Sequence, residues 1–384
     1  MHFVGSIPEP LMTSYHDALE WIVDHSAGQP LTALPCDLDP VWIVGYLRDL
    51  GTRTKLLEFQ HTTDDYADYN VFPSGRIRPG VTLEPEHLSM QRFDKIAHIV
   101  EAYTNLRQER AELANVKLQL SQPNPLDLTL FIFAGAAVAD GLPLHQALHN
   151  VGDVATALRN LELVTEAVLD EIAAVTRVHG SLITWQVESP VALLSVVKAA
   201  QLKTKTAVAV LVAHQLARFL TRLHAIGAHA SLHLCYGDYQ HTALLQPRST
   251  GPAVALLNAL ARQLRRHGTP LPDVHIPCAY GAEPAPLDPR FYLPLRSLDS
   301  EWTLTAGVVS PASVIDSMVS LRLFEQSANR AVHAVATACG LGRCPVDLAE
   351  QAAAATAAVA AFSEHWLPAA ALDDYKEFDA TSSW

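Results

Sequence analysis

Two short segments carry the residue types from which a metal site is built. In His233-Leu234-Cys235-Tyr236 an imidazole and a thiol stand two residues apart. Residues i and i+2 of an extended strand share a face, so both side chains point the same way. In Cys339-Gly340-Leu341-Gly342-Arg343 a third thiol precedes two glycines that permit a tight turn, and Arg343 is suited to an anion or a helix end. Imidazole nitrogen and thiolate sulfur both bind zinc, and a catalytic zinc site takes three protein ligands and keeps one position open. His233, Cys235 and Cys339 would supply three. Taken singly, a His-x-Cys pair is more often a packed polar pair, since a buried cysteine behaves as a small hydrophobe. Cys344, past the turn, reads as a bystander.

Gln186 and Glu188 share one face of Thr184-Trp185-Gln186-Val187-Glu188-Ser189-Pro190. A carboxylate there can clamp a substrate ammonium or act as a base; the alternative is that Glu188 caps the helix that follows. Near the N-terminus, Gly5-Ser6 offers backbone N–H groups and a hydroxyl suited to a carboxylate, or else an ordinary turn.

These segments need elements to hold them. Eight strand-length apolar runs stand at 2–5, 31–35, 116–121, 182–188, 230–236, 273–278, 302–309 and 332–339. Helical patterns separate most of them. Val154, Leu158, Leu161, Val164, Val168, Ile172 and Val175 repeat at three and four. The stretches 207–223 and 254–264 do the same, and 346–362 is alanine-rich. Strand then helix, eight times over, predicts an α/β fold, a (β/α)8 TIM barrel with its site at the carboxyl ends of the strands. The runner-up is an open doubly wound sheet, but the first turn, Gly5-Ser6-Ile7-Pro8-Glu9-Pro10, lacks the glycine-rich phosphate pattern of that fold. The gap between the second and third strands exceeds one helix. An inserted hairpin or lid is expected at about 52–92, inside a single domain of residues 1–367 followed by a polar tail at 368–384.

With 384 residues, 49% hydrophobic and 17% charged, the chain can bury a large core. Its net charge of −13 argues against a nucleic-acid or anionic-membrane binder. The most apolar stretch, 206–220, is broken by His214, Gln215 and Arg218, so no membrane span is expected. The N-terminus shows no secretory pattern, and five cysteines are an odd number. Reduced thiols in a cytoplasm are therefore expected, rather than a disulfide framework.

Four segments, in chain order, resemble the catalytic barrel of the cobalamin-independent methionine synthase family, in the superfamily shared with uroporphyrinogen decarboxylase. They are Val4-Gly5-Ser6-Ile7-Pro8; Gln186-Val187-Glu188-Ser189-Pro190, against a family Gln-x-Asp-Glu-Pro; His233-Leu234-Cys235-Tyr236; and Cys339-Gly340-Leu341-Gly342-Arg343. They span nearly the whole chain, which has the length of one barrel and so resembles short, core-only members. The resemblance implies Zn2+ held by His233, Cys235 and Cys339. The family adds a Glu from the next strand, which here reads Asp273-Val274-His275-Ile276-Pro277-Cys278, with no Glu before Glu283. His275 or Cys278 would substitute, and His275 is preferred, as ligand or substrate contact. It further implies that Gly5, Ser6, Gln186 and Glu188 contact a substrate amino acid. Asp37 or Asp39 would supply a second acid.

The implied reaction is methyl transfer to a small-molecule thiol, homocysteine or a relative. The methyl donor would be a folate, a methylated corrinoid or a sulfonium compound. The insertion around 64–80 would serve as lid or donor surface, with Arg76, Arg78 and Arg343 as contacts for an anionic donor. Two other readings compete: a metal-free, decarboxylase-like enzyme of the same superfamily, and a non-catalytic or partner-binding barrel.

Overall fold

The computed structural model describes residues 1–5, 7–36, 43–53, 55–59, 74–135, 147–237 and 243–363. Ser6, Asp37, Asp39, most of the 64–80 insertion and the 368–384 tail lie outside the described residues. Among the described residues the strands are β1 (Leu34–Pro35), β2 (Leu57–Phe59), β3 (Gly75–Ile77), β4 (Leu118–Pro123), β5 (Ile183–Glu188), β6 (Ala230–His233), β7 (Asp273–Pro277), β8 (Leu304–Val309) and β9 (Ala334–Thr337).

Seven of them form one parallel sheet in the order β1-β4-β5-β6-β7-β8-β9. Spatial order follows chain order, so each helical crossover steps one strand further in the same direction and the sheet curls into a half-barrel. The run at 2–5, expected as a first strand, is extended but is not a strand of this sheet. It bonds to both edges instead. His2 N–H donates to Val335 O on β9 (3.0 Å), and Thr32 N–H donates to Met1 O (3.0 Å) just before β1. The Gln119 side-chain amide on β4 adds bonds to Phe3 O (3.2 Å) and Val4 O (3.0 Å). β2 and β3 pair antiparallel, Glu58 opposite Arg76, within the stretch read as an insertion.

Alternation along each strand separates two environments. Trp185, Val187, Leu232, Val274 and Ile276 are buried among the helices. The concave side is more polar than is usual inside such a sheet, where branched aliphatics dominate: Gln119, Gln186, His233, His275 and Thr305 are all buried there. Helices start hard against the strand ends. Asn124 follows β4, accepts from Asp127 N–H (3.1 Å) and caps the helix Pro125–Ala134, with proline at its first position. Pro190 opens the helix after β5 in the same way, but there Ser189 makes no side-chain cap bond and Asp127 Oδ2 accepts from Val191 N–H instead; the Asn124 amide ties the two starts together through Ser189 Oγ (2.9 Å) and Glu188 O (3.1 Å). In the long helix Ala147–His179 the expected apolar stripe is buried from Val164 onward, whereas Leu158 faces outward.

One ion pair lies inside this packing. Arg92 bonds Glu171 through its backbone N–H (2.8 Å) and Nε (2.7 Å), donates to Ser121 O (3.2 Å) and Gln122 Oε1, and lies over the Trp185 ring. Removing one partner strands a buried charge, which costs about 3–5 kcal/mol, whereas replacing both by apolar groups of similar volume can be neutral. Arg92→Met is therefore expected to lower the unfolding free energy by about 3 kcal/mol, and Arg92→Met with Glu171→Met to recover most of it, as read by urea denaturation.

Candidate metal centre

The ladder registers set the site. Glu188 on β5 pairs with His233 on β6, His233 with His275 on β7, and His275 with Thr305 on β8. These side chains form a row across the concave face, and Gln186, Ser231 and Asp273 form the row two residues below it. β6 ends at His233, so Cys235 sits in the loop just beyond. Cys339 likewise lies two residues past the end of β9.

The three residues meet. One ligand atom from each of His233, Cys235 and Cys339 lies within 4.8 Å of the others, and among the described residues no other His/Cys/Asp/Glu group has metal-holding geometry. The two Sγ atoms are 3.7 Å apart, and neither is in a disulfide. A disulfide would need about 2.05 Å. Tetrahedral bonds of about 2.3 Å from one zinc to two sulfurs would put them about 3.8 Å apart. His233 is buried, and its Nδ1 has no hydrogen-bond partner. Burial, reinforced by His275 and His2, holds its pKa well below the usual histidine value. The ring is therefore neutral at pH 7, the state that ligates a metal. Spacing, burial, an orphaned ring nitrogen and a soft N/S donor set all fit zinc.

His275 stands beside this group rather than in it. Its ring stacks on His233 (centroids 4.6 Å, 26°), and its nitrogens lie against Leu234 O (3.2 Å) and Thr337 O (3.0 Å). Both nitrogens face carbonyl oxygens rather than the thiol pair. Cys278 is buried with its thiol toward Ile276 O (4.0 Å), and burial pushes its pKa up. Glu283 is exposed and accepts from Gln246 (3.2 Å). None of the three candidates for a fourth ligand reaches the cluster.

The remaining predicted residues surround it. Gly5 has φ +128°, a conformation that residues with a Cβ rarely adopt, and its carbonyl accepts from Leu341 N–H (3.3 Å) in the turn after Cys339. Gln186 is buried and committed to its neighbours: its amide donates to Val4 O, and its Oε1 accepts from Gln119 (3.1 Å). Glu188 is half-buried at the mouth, and Arg343 is half-buried in the turn beyond Cys339.

Sequence reasoning missed two groups. Asp127 is fully buried in the first turn of the helix Pro125–Ala134, with Oδ2 accepting from Val191 N–H (2.7 Å) and Oδ1 without a partner. Burial outweighs its hydrogen bonds and raises its pKa to about 7, with the charge of Glu188 adding to the effect. The available signal was a lone acid in an otherwise apolar helix. His2 is buried on the concave side, bonded to Thr32 Oγ1 (2.8 Å), with its pKa lowered to about 3 chiefly by burial. Its signal was a polar residue inside an apolar run.

No protein-family model and no curated protein matches this sequence. Among solved structures, a B12-independent methionine synthase from Shewanella sp. W3-18-1, in complex with selenomethionine, superposes with a TM-score of 0.52 at 10% identity, over 99% of this chain and 98% of that one. At that identity the likeness is one of fold. No helix among the described residues is long and apolar enough to cross a membrane.

The buried titrating groups fix a pH response. His2 (about 3), His275 (about 4) and His233 have folded values below the unfolded 6.5, so their contribution is full above pH 6.5 and is lost as pH falls. Asp127, raised from 3.8 to about 7, acts in the opposite sense: its contribution is full below pH 3.8 and is lost as pH rises through 7. These four alone, three against one, give a net uptake of about two protons on unfolding between pH 6 and 5, or up to about 2.7 kcal/mol of stability per pH unit; Glu325, raised by burial, acts with Asp127, and the Met1 amino group, lowered to about 6, acts with the histidines. Urea unfolding of the metal-free protein should show this slope, and His2→Asn should halve it.

Proposed function

We propose that this chain is a zinc-dependent methyltransferase that moves a methyl group onto a small-molecule thiol, homocysteine or a close relative. The observation that carries the reading is the meeting of His233, Cys235 and Cys339 at the carboxyl ends of two non-adjacent parallel strands. The fold likeness to a methionine synthase supports it, since that protein carries out chemistry of this class on a similar frame. At such a centre zinc supplies an open position for a substrate sulfur and lowers the thiol pKa from its free value of about 8.5.

The chain's own groups do the rest. Cys235 and Cys339 as thiolates and His233 as neutral imidazole would hold the ion. Glu188, half-buried beside the cluster, takes a substrate ammonium, and the Gly5 turn, with Ser6, receives its carboxylate. Asp37 or Asp39 is the second acid in this scheme. The substrate thiolate attacks the methyl carbon of the donor in line: the new S–C bond forms as the bond from methyl to donor breaks, and the pair of electrons leaves with the donor. The donor is a folate, a corrinoid or a sulfonium compound that docks opposite the thiol, with Arg343, in the turn beyond Cys339, as the contact for an anionic one. His275, expected from the sequence as ligand or substrate contact, takes another role below.

We take residues 1–367 as one (β/α)8 barrel, in which the extended segment 1–5 is the eighth stave. Its hydrogen bonds to Val335 and Thr32 support closure. A cytoplasmic setting suits two reduced thiols.

The reading is tested on purified protein. About one zinc per chain is expected, lost in His233→Ala and in Cys339→Ser, with X-ray absorption counting two sulfur neighbours. Methyl transfer to homocysteine should vanish with the metal and return on adding zinc. Protein that neither carries nor takes up zinc would remove the proposal.

A further inference from the structure

We propose that His275 is a positioning residue, a cross-strand strut that sets the spacing of the two thiols without binding the ion. The inference rests on the zinc reading above and adds to it a mechanism for holding the centre together.

The difficulty it answers is topological. His233 and Cys235 belong to β6 and its end, Cys339 to the end of β9, and β7 and β8 lie between them in the sheet. No backbone ladder joins β6 to β9, yet the two sulfurs are 3.7 Å apart. As thiolates they repel. Something must fix one strand end against the other before a metal arrives.

His275, on β7, makes that connection with one ring. Nδ1 lies 3.2 Å from Leu234 O, the carbonyl between His233 and Cys235, and Nε2 lies 3.0 Å from Thr337 O, two residues before Cys339. The face of the ring packs on His233 at 4.6 Å. One imidazole therefore touches the peptide that joins two ligands, the strand end that carries the third, and a ligand ring. A neutral imidazole carries one N–H, so one carbonyl receives a hydrogen bond and the other bounds the ring from the far side.

To reach β9 the ring must pass over β8, and the residue there is Gly307, paired with Pro277. A Cβ built on Gly307 would lie 2.5 Å from Nε2 and 2.8 Å from Cε1 of His275, with Ile276 O at 3.0 Å. β8 is Leu-Thr-Ala-Gly-Val-Val, and its register against β9 shifts between Ala306 and Val309, so Gly307 stands at an irregularity of the ladder as well as under the His275 ring. Whatever the ladder asks for there, any side chain at 307 would meet that ring.

Two variants test this, each measured with Co2+ and Zn2+ alone. His275→Phe keeps a ring of similar size and loses both nitrogens. Gly307→Ala leaves every polar group in place and displaces the ring from the β8 side. Both should retain the far-ultraviolet circular dichroism of the parent, bind metal roughly 10–100-fold more weakly in chelator competition, and give a weaker thiolate-to-cobalt charge-transfer band because the sulfurs no longer converge. The shared loss in a variant with all ligands intact is the signature of positioning. The idea is overturned if both variants bind cobalt with parental affinity and spectrum. It is also overturned if His275→Phe keeps two sulfur neighbours and loses one nitrogen by X-ray absorption, since His275 would then be a ligand. If the parent protein itself takes up no metal, the zinc reading and this proposal fall together, which distinguishes that failure from the other two.

Discussion

The constraint on which the structure turns is the close approach of two sulfurs that the sheet itself does not join. Hydrogen-bond ladders fix neighbours only, at about 4.8 Å from strand to strand. Cys235 and Cys339 belong to strands with two others between them, and they touch because the sheet curls far enough to carry one strand end around to another. A flat sheet with the same strands would hold these thiols about 14 Å apart, three strand spacings. The curl comes from the monotonic strand order, and that order comes from helices that all cover the convex side. The meeting of His233, Cys235 and Cys339 is in this sense a product of the topology, and point contacts such as those of His275 and Gly307 only refine it.

A polar interior accompanies that cluster. Burying a hydroxyl, amide or imidazole without a partner costs about 1–3 kcal/mol, whereas an aliphatic residue in the same place is stabilising. Here the concave side carries Gln119 and Gln186, which bond each other and the backbone of the first residues, and a run of buried histidines at 2, 275 and 233. Most of these atoms are satisfied. The two glutamines are satisfied in part by Phe3 O and Val4 O, so the N-terminal segment completes the interior as well as bridging the edges. On the concave side the buried side-chain atoms without a partner are His233 Nδ1 at the cluster and Ser231 Oγ one row below it, and Asp127 Oδ1 is a third such atom, in the first turn of the helix after β4. The imidazole nitrogen is the one of the three whose lone pair or N–H stands at the thiol pair.

Much of this was legible in the residue pattern because strand and helix periods are local. Seven of the eight apolar runs became strands of the parallel sheet, displaced by one to three residues at their ends. The 182–188 run became Ile183–Glu188, and 332–339 became Ala334–Thr337. The first run, 2–5, is too short and too quickly turned at Gly5 to form a ladder. It is held by single backbone bonds and by glutamine side chains from other strands, which no local window contains. The cluster was legible for a different reason: histidine and cysteine two apart at a strand end, and a cysteine before glycines at another, have few alternatives with the same chemistry. The roles of His275, Asp127 and Arg92 were not legible. Each depends on a partner far away in the chain: Thr337 for His275, Val191 for Asp127, Glu171 for Arg92.

A likeness at 10% identity says that the same strand order and covering helices have been built from almost wholly different residues. Such a frame is tolerant, because it asks only for apolar strands, amphipathic helices and turns of the right length. Function has to be argued from the site, since one frame supports many chemistries. The superposition speaks for the backbone path alone, whereas the cluster rests on three side chains and their distances. A buried neutral imidazole and two thiols outside any disulfide converge at the strand ends, and a neighbouring histidine lies against both strands that carry them. It is that convergence, and not the shared frame, from which the chemistry of this chain has to be argued.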